Sequence, residues 1–135
     1  MLRYMIDRKV YEVLKDIVDT LSDVFSYILI NRIIVVRSYG SRSRAMARIH
    51  ALPSIWRYVL GEEAMYAIEI VDENFSRLGR DEQIKVLIHE LLHVPFKFSG
   101  GLRGHGSYVN NRAVEKLYNM YISRKRAGLL EEQDC

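Results

Sequence analysis

Cysteine is almost missing from this chain. Its one example, Cys135, is the last of 135 residues, which excludes an internal disulfide and a cysteine-rich zinc ribbon. Stability therefore rests on packing, and any metal site has to use nitrogen and oxygen ligands. Proline occurs only at positions 53 and 95, so the backbone has just two fixed breaks. Long apolar runs are absent as well. Tyr27–Ile30 and Ile33–Val36 are separated by Asn31 and Arg32, far short of the about 20 residues that a membrane helix needs. No transmembrane segment is expected. The opening MLRYMIDRKVYEVL mixes charges among its apolar residues, unlike the apolar core of a secretory signal, and a cytoplasmic location is expected.

What is present describes a soluble globular protein. Hydrophobic residues make up 49% and charged residues 27%, in proportions that build one core but not two. A single domain over residues 1–135 is expected, with its core at about 10–122 and a C-terminal tail at 123–135. The net charge of +3 is modest. Arg37, Arg42, Arg44 and Arg48 gather in one stretch and Arg124, Lys125 and Arg126 in another, a pattern that suits a solvated surface and also allows contact with nucleic acid phosphates.

Apolar spacing outlines the elements. Val10, Val13, Leu14, Ile17, Val18 and Leu21 recur at helical intervals and predict an amphipathic helix over Val10–Phe25. Arg32–Arg37 is short and β-branched, with a turn-forming SYGSRS behind it, and reads as a buried strand. Ala45–Leu52 reads as a second strand closed by Pro53, which also suits the first turn of a short helix, Ser54–Leu60, ended by Gly61. Trp56 on that helix is expected to anchor the core. Tyr66–Val71 alternates as a third strand. A helix then starts near Asp81, keeps Ile84, Leu87, Ile88, Leu91 and Leu92 on one face, and stops before Pro95. Ser99, Gly100, Gly101, Gly104 and Gly106 make a loop, and a last amphipathic helix begins at Asn110 or Asn111 and ends at Gly128. The order of helix, about three strands, helix, Gly-rich loop and C-terminal helix predicts an α+β fold.

The helix ending near Pro95 carries the chemistry. His89 and His93 are one turn apart on the same face, so both imidazoles can reach one ion about 2.0–2.1 Å away. Glu90 is rotated about 100° from His89, beside such an ion and not on it, where its carboxylate can take a proton from an activated water. Zinc lowers the pKa of that water and polarises a carbonyl, so this His-Glu-x-x-His pattern predicts zinc-dependent hydrolysis of peptide bonds with Glu90 as general base. Zinc is preferred on ligand type, although other divalent ions accept the same donors. A third protein ligand is required. His105, twelve residues beyond His93 and flanked by Gly104 and Gly106, is the favoured choice, and Glu115 on the last helix is the alternative. Phe96 and Ser99 occupy the positions where a metzincin would have glycine and histidine. Tyr108 and Arg103 flank the third ligand and are candidate hydrogen-bond donors to substrate or to the oxyanion of a tetrahedral intermediate. His50 lacks a ligand-spaced partner and reads as a structural or surface histidine.

The segments HELLHVPFKFSGGLRGHG, VRSYGSRSRAMARIHALPSIWRYVLG and YAIEIV together resemble the Putative phage metallopeptidase family, which also occurs in archaea, over about residues 10–122. The motif and Gly104-His105-Gly106 also resemble the SprT-like zincins, over about residues 85–108. That second resemblance implies a small zincin-like domain with His89, His93 and His105 on zinc and Glu90 as catalytic base. It further implies that the strand before the motif helix, Tyr66–Val71, is a sheet edge that binds peptide or protein substrate in extended form.

Two functions follow as expectations. The first is a single-domain zinc metallopeptidase. The second, motivated by Arg37–Arg48, is a nucleic-acid-associated protein whose metal site is structural or vestigial, with a peptidase acting on DNA-bound proteins as a combination of the two.

Overall fold

The computed structural model describes residues 1–134, and Cys135 lies outside them. The order of elements is β1 (Arg3–Ile6), α1 (Arg8–Thr20), a 3-10 turn (Ile30–Arg32), β2 (Ile33–Tyr39), β3 (Ala47–Ala51), α2 (Ser54–Leu60), β4 (Tyr66–Val71), α3 (Asp72–Phe75), α4 (Arg80–Leu92) and α5 (Asn111–Asp134). The α+β class is as expected. The sheet has four strands rather than about three, in the order β1-β2-β4-β3. β1 and β2 are antiparallel, β2 and β4 parallel, and β4 and β3 antiparallel. All four residues of β1 are exposed, so it carries none of the apolar alternation by which a strand is recognised.

β4 is central, and this overturns its expected place at the edge. Flanked by β2 and β3 along both edges, its residues Ile68, Ile70, Glu69 and Val71 are only 0–4% exposed. The edge strand beside α4 is β3, whose half-buried Arg48 and exposed His50 suit an edge.

The core lies on one face of the sheet. Ile33 and Val35 of β2 and Ile68 and Ile70 of β4 meet Leu14 and Ile17 of α1 and Leu87, Ile88 and Leu91 of α4. Each such fully buried side chain contributes roughly 1.5–3 kcal/mol. α5 closes this layer with Val114, Leu117 and Tyr121, and is tied to α1 by hydrogen bonds from the Tyr121 hydroxyl and Lys125 to Asp16. No helix among the described residues is long and apolar enough to cross a membrane.

Three further expectations are corrected. α1 stops at Thr20, because residues 21–25 turn to insert Leu21 and Phe25 into the core. α5 runs through Gly128, since glycine costs a helix only about 1 kcal/mol and the flanking Leu129 and Leu130 are good helix formers. The helix continues to Asp134. Trp56 is 54% exposed, with Ile55, Tyr58, Val59 and Leu60 also exposed, so α2 is not anchored by it. The left-handed cap of α2 at Gly61, φ 66°, is as the sequence predicts.

Candidate metal centre

α4 places the motif by burying its other side. Leu87, Ile88 and Leu91 take the core, which turns His89 and His93 outward to half-buried positions. The helix ends at His93 because Pro95 has no amide hydrogen to continue the ladder. The chain then runs through the Gly-rich segment and returns with His105.

The three imidazoles converge. Ring centroids are separated by 5.0 Å for His89 and His93, 5.1 Å for His89 and His105, and 5.0 Å for His93 and His105. One nitrogen from each lies within 4.8 Å of the other two, and Nε2 of His89 is 3.1 Å from Nε2 of His105. Donors about 2.0–2.1 Å from a shared tetrahedral ion stand about 3.3 Å apart, so this donor set fits a metal after small side-chain adjustments. Burial, then the neighbouring His93 and His105, lowers the pKa of His89 and keeps its lone pair free. The structure thus brings together His89, His93 and His105 as a cluster able to hold a metal.

The loop is held by contacts that local spacing did not reveal. Nδ1 of His93 is 2.5 Å from the carbonyl oxygen of Arg103, which can only accept, so Nδ1 carries the proton and Nε2 is left for a ligand. The Arg103 side chain donates to the carbonyls of Leu92 and Val94 and to the Tyr27 hydroxyl, with its guanidinium 4.3 Å from the Phe96 ring centroid and 4.7 Å from that of Tyr108. Arg103 thereby satisfies carbonyls that the end of α4 leaves open. Tyr108 packs edge-on against Phe96 and is 54% exposed.

Tyr66 accepts from the Gly100 amide and donates to the Gly101 carbonyl, fastening the loop to β4. Gly100 has φ 94°, and a Cβ there would stand 2.9 Å from Nη1 of Arg57. Asn110 caps α5 through the Ala113 amide while its own amide donates to the Gly106 carbonyl, next to His105. Asn110 was legible as a helix cap, but its grip on the loop was not.

Among the described residues the buried polar side chains are Ser38, Glu69 and Glu90. Ser38 donates to Glu69, whereas Glu90, 5% exposed as a residue, has no hydrogen-bond partner among the described residues. Burial pushes it up to about 7. Glu90 and His89 border a cleft of about 490 Å³ between β3, α4 and α5, into which Lys85 and Glu115 also face. Glu115 pairs there with Lys85 at 3.0 Å and is not part of the three-histidine cluster.

The remaining residues of interest lie elsewhere. His50 contacts Glu69 at 2.8 Å, in the same network as Arg48. Arg37 is held by Asp7 and Asp72, so in that basic stretch Arg42 and Arg44 are the exposed arginines.

An α+β frame that presents three imidazoles beside a buried carboxylate defines a candidate metallohydrolase. The chain belongs to the family described as Putative phage metallopeptidase, whose model matches residues 2–125. No curated protein and no solved structure matches it.

Proposed function

We propose that the chain is a zinc-dependent peptidase in which His89, His93 and His105 hold one zinc ion and Glu90 is the general base. The observation that carries this reading is the convergence of the three imidazoles next to a buried carboxylate that bonds to nothing else. Zinc in that position would lower the pKa of a water towards neutrality and polarise the scissile carbonyl. Glu90 takes the proton of the attacking water and passes it to the leaving amine. Its raised pKa suits a group that must both accept and release a proton near neutrality, and a bound cation would draw it down again.

The Arg103 carbonyl orients His93, and the Arg103 side chain positions the end of α4; Tyr108 and Arg103 remain the proposed neighbours of the substrate oxyanion. Ala47 at the start of β3 and the preceding Ala45 and Met46 border the cleft, and β3 has one unpaired edge, along which an extended protein substrate would pair.

The test is hydrolysis of unfolded casein by zinc-loaded protein beside its Glu90→Gln variant. The variant should keep its zinc and lose activity by at least a hundredfold. Equal activity in the two would remove Glu90 from the mechanism.

A further inference from the structure

The cleft beside Glu90 has a second chemical character at its far end. On α4, Glu82, Lys85 and His89 follow one another at helical spacing, so Lys85 stands about 6 Å and Glu82 about 10 Å along the axis before His89. Nζ of Lys85 lies 3.4 Å from Oε1 of Glu82 and 3.0 Å from Oε1 of Glu115, and 4.9 Å from the centroid of the Tyr118 ring. The second oxygen of each carboxylate accepts no hydrogen bond among the described residues. Two carboxylates thus face one ammonium, leaving the end of the cleft with a net negative charge. The wall between this end and Glu90 is apolar, formed by Met46, Val86 and Val114.

We propose that this cleft is a side-chain subsite that selects a long cationic residue, arginine or lysine, next to the scissile bond. The inference rests on the peptidase reading above and names the substrate class for it. The methylene stem lies on the apolar wall while the cationic head reaches the free oxygens of Glu82 and Glu115. Two observations point to a ligand here independently of the acidic pair: the cleft is continuous with the three-histidine cluster through His89, and Glu90, nine-tenths buried and without a partner, borders it. An acidic side chain would meet the two carboxylates before Lys85, whose ammonium is already shared between them and an aromatic face.

The experiment compares zinc-loaded wild type, the Glu82→Gln/Glu115→Gln double variant and Lys85→Met on an equimolar acetylated peptide library, with cut sites read by mass spectrometry. Matched peptides with arginine or norleucine at the selected position then give kcat/KM ratios. Arginine and lysine should be enriched beside the cut. The arginine-to-norleucine ratio should fall roughly three- to tenfold in the double variant, as for loss of two partly exposed ion pairs, and rise in Lys85→Met. A fall in overall rate without a change in ratio would signal a structural role and overturn the proposal. So would enrichment of acidic residues, or no preference, in the wild type.

Binding of the same two peptides, fluorescein-labelled, to zinc-loaded Glu90→Gln separates the subsite from the chemistry. An arginine preference in binding with no cleavage by wild type would overturn the peptidase reading while supporting the subsite. Cleavage without any such preference would do the reverse.

Discussion

The imidazole of His93 and the carbonyl of Arg103 are joined across ten residues of loop by a 2.5 Å contact, and the Arg103 amide returns a hydrogen bond to the His93 carbonyl. The end of α4 and the start of the segment carrying His105 are thereby locked together. The orientation of the His93 imidazole and the position of the segment carrying His105 depend on the same residue.

Replacing Arg103 should therefore weaken metal binding without touching a ligand. Arg103→Leu removes the donors to Leu92 and Val94 and the stacking on Phe96 and Tyr108, and zinc affinity should drop roughly 10- to 100-fold, the usual cost of losing a partner that orients a ligand. Arg103→Lys should not restore it, since a point charge cannot reproduce the planar fork. Competition against a chromophoric chelator measures both. Unchanged affinity in Arg103→Leu would mean that the backbone contacts alone hold the loop.

Metal content distinguishes the two third-ligand choices. Elemental analysis of protein purified without a histidine tag should find close to one zinc per chain in the wild type and in Glu115→Ala, and a sharp loss in His105→Ala. Loss in Glu115→Ala instead would place the ion towards α5 and away from the imidazole cluster. No zinc in any form, even after it is supplied, would leave the cluster without a metal role.

Tyr66 anchors the Gly-rich loop from the sheet. Tyr66→Phe leaves the Gly100 amide without its acceptor and the Gly101 carbonyl without its donor, at an expected cost of about 1–3 kcal/mol. Urea denaturation of the metal-free protein should show a lowered midpoint with an unchanged slope. A midpoint equal to that of wild type would mean that water replaces the hydroxyl at no cost.

Acid should act through Glu69. Burial alone would raise its carboxyl, but hydrogen bonds from Arg48, Ser38 and His50 outweigh burial and hold it at about 2. A depressed carboxylate contributes stability that is fully present above its ordinary value of 4.5 and lost as the pH falls from there towards about 2. The gap is worth on the order of 3 kcal/mol. Glu69→Gln should be less stable than wild type at pH 7 and should lose less stability between pH 5 and pH 2, as followed by urea midpoints across that range. Parallel acid limbs for the two proteins would show that Glu69 is not held down.

Much of this was legible because short-range patterns encode short-range structure. The apolar spacing of α1 and α4, the β-branched run of β2, the alternation of β4 and the caps at Gly61 and Asn110 reflect interactions within a few residues, and they predict these elements to within a few positions of their ends, apart from the C-terminal end of α1, which comes five residues early. β1 was not legible, since its exposed residues show no apolar alternation and pair with β2 across thirty or more residues of chain. Trp56 was misplaced for a related reason. Its size argues for burial, but burial depends on how far other elements cover α2, and Trp56 stays 54% exposed.

The sequence by itself determined that His89, Glu90 and His93 share one turn of a helix, because 3.6 residues per turn allows no other arrangement once the helix forms. It also placed both candidates for a third ligand, His105 and Glu115, downstream of Gly100 and Gly101. Only the tertiary structure decided that His105 closes the cluster, that Glu90 is buried without a partner, and that β3 rather than β4 is the edge bordering the cleft. These depend on strand order and on loop contacts made by Tyr66, Arg103 and Asn110 across long stretches of chain. Such contacts arise from packing, to which no local periodicity corresponds.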